Sequence, residues 1–265
     1  PVALEFFGLK VYWYSLAYLL GFIFSVYYSK LLIKKGVIDL NTDIVDNFFS
    51  WAIIGVIFGG RLGYVIFYNF EFYIQNIIEI FKIWKGGMSF HGGLIGLTVS
   101  MYIFSRLNKI KFIDLSNLIA CSAPFGIFLG RIANFINAEL VGKPTFSDWG
   151  VKYYNEELLR HPSQLYEAFL EGLVLFLIII FFIKRGFYKK VNLCAVFLVF
   201  YGLFRFAVEY FREPDNHIGL VFYNLSMGQI LSIPIVILGF SIIKYGRKKK
   251  QTKFLRVTQF LYQDL

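Results

Sequence analysis

Four arginines and one histidine are the residues in this sequence whose positions most need a chemical explanation. Arg61 in FGGRLGY, Arg131 in GRIANFINAELVG, and Arg205 and Arg212 in RFAVEYFREPD lie in or beside strongly apolar stretches, as does His91 in MSFHGGLIG. An arginine placed mid-span in a hydrocarbon layer costs about 2.5 kcal/mol or more on insertion scales, so each requires a carboxylate, a wet cavity or an anionic ligand. Arg205, Glu209 and Arg212 recur at i, i+4 and i+7, which sets them on one helical stripe. Two cations around one carboxylate leave net positive charge, and arginine forks match phosphate oxygens in geometry as well as sign. The structural alternative is that Glu209 neutralises one arginine and leaves the other unpaired.

Arg131 and Asn134 share a helix face, and Asn137 and Glu139 follow as the apolar run ends. These asparagines suit either headgroup hydroxyls or a helix end. Glu139 suits either the surface or the orientation of an arginine, and Gly142 permits a tight turn. His91 is the side chain suited to proton transfer near neutral pH, and equally reads as a hydrogen-bonded structural residue. His161 and His217 lie in more polar stretches. In RHPSQLYE, Pro162 and Ser163 read as a helix start, with Gln164, Tyr166 and Glu167 on the opening turn.

The elements that carry these residues are apolar segments. Of the 265 residues 57% are hydrophobic, 20% aromatic and 17% charged, more apolar matter than one soluble core needs. Seven segments emerge, at 12–33, 47–68, 91–107, 115–138, 164–183, 192–211 and 227–245. About 20 residues of helix cross a hydrocarbon layer of roughly 30 Å, and open sheets are excluded there by their unpaired edges. The expected fold is therefore an all-α polytopic membrane protein with seven transmembrane helices in a single membrane-embedded domain. The first segment is too long and aromatic, and lacks the small-x-small pattern, to read as a cleavable signal peptide.

Net charge is +10, but its distribution argues against a nucleic-acid footprint. Most of the 27 Lys and Arg residues sit in alternate connections: Lys30, Lys34 and Lys35; Arg106, Lys109 and Lys111; Lys184, Arg185, Lys189 and Lys190; and the tail from Lys244 to Arg256. By the positive-inside rule these are cytoplasmic, which puts the amino terminus outside and the carboxyl terminus inside. On the outer side, loop 69–90 carries Ile74, Ile77, Ile78 and Phe81 at helical spacing and is expected to form a helix lying in the interface. Loop 139–163, rich in Gly, Pro and mixed charge, is expected to form a small extracytoplasmic cap. The tail, about 246–265, is a basic amphipathic stretch that suits the inner leaflet.

Cys121 and Cys194 both fall inside spans and read as packing residues. No CxxC pair, HExxH or Walker-type loop is present, so neither a metal nor another cofactor is expected. No internal repeat supports an inverted-repeat transporter, although a transporter or flippase for an anionic cargo also accounts for buried arginines.

Taken together, GRIANFINAELVG, HGGLIG, GGRLGY, RHPSQLYE and RFAVEYFREPD strongly resemble, in order, the motifs of the prolipoprotein diacylglyceryl transferase family. The resemblance runs from about Tyr14 to Lys244, with one departure at Ala133, where many members have Gly. It implies seven spans in the same orientation, in the bacterial cytoplasmic (inner) membrane, with the site toward the outer leaflet. It also implies transfer of diacylglyceryl from phosphatidylglycerol to the lipobox cysteine of a prolipoprotein signal peptide, releasing glycerol 1-phosphate. The nucleophile then belongs to the substrate. On this resemblance His91 is the candidate base, Arg131 and Arg205 are catalytic, and Glu209, Arg212 and Arg61 support substrate binding. Tyr14, Asn134, Asn137, Glu139 and Gly142 match positions tied to the headgroup or local architecture.

Overall fold

The structure is a computed structural model that describes residues 2–6, 9–154, 156–214, 220–222 and 225–263, with side chains described except at 6, 9, 220–222 and beyond 246. In chain order a hairpin of β1 (Val2–Phe6) and β2 (Leu9–Tyr12) precedes α1 (Trp13–Lys34), α2 (Asp43–Tyr68) and α3 (Phe70–Gln75). Two 3-10 turns, Ile77–Phe81 and Ile83–Lys85, lead to α4 (Phe90–Leu107) and α5 (Phe112–Ile136). After an irregular segment come α6 (Ser163–Glu167), a π-helical stretch (Ala168–Val174) and α7 (Leu175–Lys184). Then follow α8 (Leu193–Val208), strands β3 (Leu220–Phe222) and β4 (Leu225–Ser226), and α9 (Met227–Gln263).

Among the described residues, five helical segments are long and apolar enough to cross a membrane: Trp13–Lys34, Asp43–Tyr68, Phe112–Ile136, Ser163–Lys184 and Met227–Gly246. The remaining two expected segments coincide with α4, of 18 residues, and α8, of 16. Large apolar side chains such as Tyr18, Phe67 and Phe240 are exposed along these helices. Helices satisfy their own backbone groups, so an apolar exterior of this kind fits lipid. This is a mostly helical membrane protein.

The chain forms two compact units, 29–118 and a second made of 1–28 with 119–265. In the first, α2 and α4 pack through glycines spaced four apart. A Cβ on Gly59 would stand 2.6 Å from the Gly96 Cα, and one on Gly63 would stand 2.7 Å from the Gly92 Cα. Small residues let the backbones approach, which is how helices gain dispersion contact where no hydrophobic drive separates them from lipid. Ser100 donates to the Trp51 carbonyl at 2.7 Å across the same seam, and Phe48, fully buried, meets the Phe104 ring at 5.5 Å in a tilted contact.

The expected single interfacial helix at 69–90 is instead α3 followed by the two 3-10 turns, broken where Asn76 and Lys82 leave helical backbone angles. Ile77, Ile78, Phe81 and Trp84 remain exposed there.

In the second unit α8 and α9 pack through Gly202 and Gly239, and Gly172 of the π-helical stretch lies against the backbone of Phe128 on α5. Phe24, Phe125 and Phe176 form an aromatic cluster, the first two 4.0 Å apart. Cys121 is buried and Cys194 partly so, both as reduced thiols.

Gly59→Val tests the seam. Overpacking of this kind costs about 1–3 kcal/mol, so the variant should lower the thermal midpoint of the detergent-solubilised protein and raise hydrogen exchange in α2 and α4. An unchanged midpoint would show that the two helices do not need this approach.

Candidate active site

Three helical elements of the second unit converge on a cluster of buried charge. α5 supplies Arg131, α6 and its π-helical continuation supply Glu167 and Glu171, and α8 with the turn after it supplies Arg205, Glu209 and Arg212. Glu167 is shared by all three arginines. Its Oε2 lies 3.2 Å from Nη1 of Arg131, and its Oε1 meets Nη1 of Arg212 at 3.3 Å and Nη1 of Arg205. Glu171 pairs with Arg131 at 3.4 Å and with Arg205 at 3.6 Å. Glu209 pairs with Arg205 at 2.5 Å and accepts a hydrogen bond from the Ser226 hydroxyl at 3.0 Å.

The carboxylates of Glu167 and Glu171 have no exposed surface, whereas the side chains of Arg131, Arg205 and Arg212 keep 18%, 14% and 11% of theirs. The acids are therefore the more deeply buried partners, and these three arginines keep some exposed surface. The expected residual positive charge is corrected: three carboxylates balance three guanidiniums among these six side chains. Glu209 does neutralise Arg205, but Arg212 finds Glu167 and is not left alone. Glu171 was missed in the sequence although a signal existed, since it is an acid in the apolar run AFLEGLVLFLIII. The π-helical turn that carries it is a geometry common at functional sites.

Beside this cluster the end of α5 builds a hydrogen-bonded network. The Tyr14 hydroxyl donates to Oε2 of Glu139 at 2.7 Å and accepts from Nδ2 of Asn134. Asn137 donates to Oε1 of Glu139 at 3.4 Å. Glu139 thus orients a tyrosine and asparagines rather than an arginine. Its backbone carbonyl accepts from Nε2 of Gln164 at 2.7 Å, and Gln164, fully buried, accepts from the Tyr153 hydroxyl at 2.9 Å. Burial pushes the Tyr153 phenol above its usual range. Gly142 does not make the tight turn expected of it, since the left-handed residues after the helix are Ala138 (φ 53°) and Leu140 (φ 55°). It is required instead by close approach: an added Cβ would stand 2.7 Å from the Phe211 carbonyl oxygen and closer still to that of His161. Ala133, the departure from the motif, is buried at 1% exposure.

Segment 139–163 is held against the turn after α8. Lys143 N–H donates to the Phe211 carbonyl at 2.9 Å, and Arg160 meets Glu156 at 2.8 Å and Glu213 at 3.1 Å. His161 lies 3.2 Å from the Tyr166 hydroxyl, with its ring against Phe211. His217 lies outside the described residues.

His91 and Arg61 belong to the other unit. His91 is exposed in the first turn of α4, its ring against Phe90, behind the Ser89 cap that accepts from Gly92 N–H at 3.2 Å. Arg61, expected among the substrate-binding residues, is 4% exposed and turns its guanidinium to the backbone carbonyls of Glu79, Ile80, Lys82, Gly86 and Gly87 at 2.6–3.4 Å. Tyr73 stacks on it at 5.1 Å. A guanidinium has five N–H donors, and these contacts use that number, so Arg61 braces the loop.

The profile of the family described as prolipoprotein diacylglyceryl transferase matches residues 1–245. The chain belongs to this family. A phosphatidylglycerol–prolipoprotein diacylglyceryl transferase of Rickettsia bellii (strain OSU 85-389) is 49% identical over 246 residues, covering 92% of this chain and 94% of the relative. Proteins of the same name from Ehrlichia ruminantium (strain Welgevonden) and Rickettsia felis are each 47% identical, over 253 and 252 residues, covering 93% and 94% of this chain and 96% and 97% of theirs. The family match takes in both units, and so includes the arginine cluster, the Tyr14 network and His91.

The Arg61 brace predicts a measurable effect. Arg61→Lys removes most of the carbonyl contacts, each worth about 1.5–3 kcal/mol when charge-assisted, so hydrogen exchange across 79–87 should rise at least tenfold. Unaltered protection there would assign the order of the loop to other contacts. Lys82 and Lys85 hold the Glu79 carboxyl below its usual range, so their contribution to the same loop should persist at neutral pH and fade as Glu79 protonates in acid.

Proposed function

We propose that this chain transfers the diacylglyceryl group of phosphatidylglycerol to the lipobox cysteine thiol of a prolipoprotein, the first step of bacterial lipoprotein maturation. The observation that carries the reading is the convergence of Arg131, Arg205 and Arg212 on a buried carboxylate, with part of each arginine side chain still exposed, in a chain of this family.

In the reaction the thiol sulfur forms a bond to the glycerol carbon of the diacylglyceryl group as that carbon's bond to the phosphate oxygen breaks. A thioether forms and glycerol 1-phosphate leaves. Negative charge grows on the departing phosphate, and guanidinium donors already fixed in place stabilise it without reorganising. Arg131 and Arg205 are assigned this part, with Arg212 and Glu209 supporting them. The Tyr14, Asn134 and Glu139 network, with Asn137 beside it, presents hydroxyl and amide groups suited to the headgroup glycerol, and Gly142 keeps the adjoining segment close.

A free thiol has a pKa near 8.5, so at neutral pH it gains from a base, and His91 is assigned that role. Its exposure in the first turn of α4 leaves the imidazole open to a thiol.

The enzyme is assigned to the inner membrane with seven spans, the amino terminus outside and the carboxyl terminus cytoplasmic. The alternating basic connections support this orientation, and residues 139–163 then form an outer cap.

Purified protein supplied with phosphatidylglycerol and a lipobox peptide should give a diacylglyceryl mass shift on the peptide and release glycerol phosphate. A Cys-to-Ser peptide should give neither. Arg131→Gln and Arg205→Gln should each lower turnover by about 10² or more, and His91→Ala should abolish the thiol-dependent step. Absence of product from folded, lipid-supplied protein would refute the assignment.

A further inference from the structure

The cluster contains an anion of its own. One carboxylate, Glu167, has no exposed surface and meets three guanidiniums from two other elements, at 3.2 Å from Arg131, 3.3 Å from Arg212, and in direct contact with Arg205. A phosphate oxygen reaching the exposed part of these arginines would find the same three cations already paired with this internal acceptor. With Glu171 and Glu209, the six side chains sum to zero formal charge.

That balance bears on what the site holds. Phosphatidylglycerol is a phosphodiester with one negative charge. Once its glycerol carbon has been transferred, the remaining glycerol phosphate is a monoester whose second ionisation lies near pH 6, so it carries about −1.5 to −2 at neutral pH. A site with surplus positive charge would grip this product harder than the substrate and slow its release. Coulomb attraction between groups a few ångströms apart is strong in a partly buried site, so a single countercharge changes that preference.

Resting on the reading that these arginines hold the lipid phosphate, we propose that Glu167 is a specificity-determining residue. It keeps the arginines in register from beneath and cancels enough of their charge that the site accepts the singly charged diester and gives up the more highly charged monoester. Its role is electrostatic as well as positional, and the two parts make opposite predictions. A mere scaffold, when removed, weakens binding of every phosphate. A countercharge, when removed, tightens binding of the monoester.

The test is inhibition of the full-length enzyme, in micelles containing phosphatidylglycerol and with a lipobox peptide, by glycerol 1-phosphate and by its methyl diester. The wild type should bind the two within about threefold, whereas Glu167→Gln should favour the monoester by about tenfold. Glu167→Asp, which keeps the charge, should follow the wild type. A wild type that already prefers the monoester tenfold, or a Glu167→Gln variant that loses both inhibitors equally, would overturn the proposal. Should Glu167→Gln fail to insert, the wild-type comparison decides alone. If Arg131→Gln and Arg205→Gln leave inhibition by both compounds unchanged, the phosphate-site reading falls as well. If they relieve it while Glu167→Gln keeps the wild-type ratio, only the countercharge role falls.

Discussion

The shared carboxylate of Glu167 is the constraint around which the second unit is organised. Charged groups withdrawn from water are costly unless paired, and removal of one partner from such a pair leaves the other stranded, at about 3–5 kcal/mol. Here the partners come from α5, from α8 and from the turn after it, so the position of each element is tied to the same two oxygens. Glu171 and Glu209 complete the pairing. The segment 139–163 follows from this anchoring: its strand-like contacts run to Phe211 and Arg212, immediately after the helix that carries Arg205.

The first unit uses an arginine for a different purpose. Arg61 is more buried than Arg131, Arg205 or Arg212, yet its donors go to backbone carbonyls and not to acids. The carbonyls it meets belong to short 3-10 turns and glycines that have few regular partners of their own. One guanidinium thereby orders a loop that no continuous helix could order, because Asn76, Lys82, Gly86 and Gly87 break the path. An arginine in an apolar stretch signals a demand for partners; it does not say whether the partners are ligand, acid or main chain.

That distinction marks what the sequence could disclose. Helical spans were legible because apolar runs of membrane length have few other uses, and the helix limits at Ile136, Ser163 and Leu193 fall where composition changes. The 69–90 loop was read as one helix because Ile74, Ile77, Ile78 and Phe81 keep helical spacing even though the backbone does not. Arg131, Arg205, Glu209 and Arg212 stood out through local spacing, although α8 ends at Val208 and the helical stripe expected of the last three does not continue to Arg212. Their pairing with Glu167 and Glu171 did not stand out, since it depends on a third helix that brings carboxylates from 34 to 45 positions away, and periodicity within one element carries no such information. Gly142 was noticed for the right residue type and the wrong reason: turn-making and close approach both select glycine, and only the neighbouring carbonyls tell them apart.

The central claim is that the guanidiniums over Glu167 form the phosphate site of the lipid. An experimental structure of the full-length protein with phosphatidylglycerol tests it most directly. The account predicts phosphate oxygens within hydrogen-bond distance, about 2.7–3.2 Å, of Arg131 and Arg205, with Glu167 still engaged on their inner side. A headgroup phosphate bound elsewhere, with all three arginines closed on their carboxylates, would contradict it.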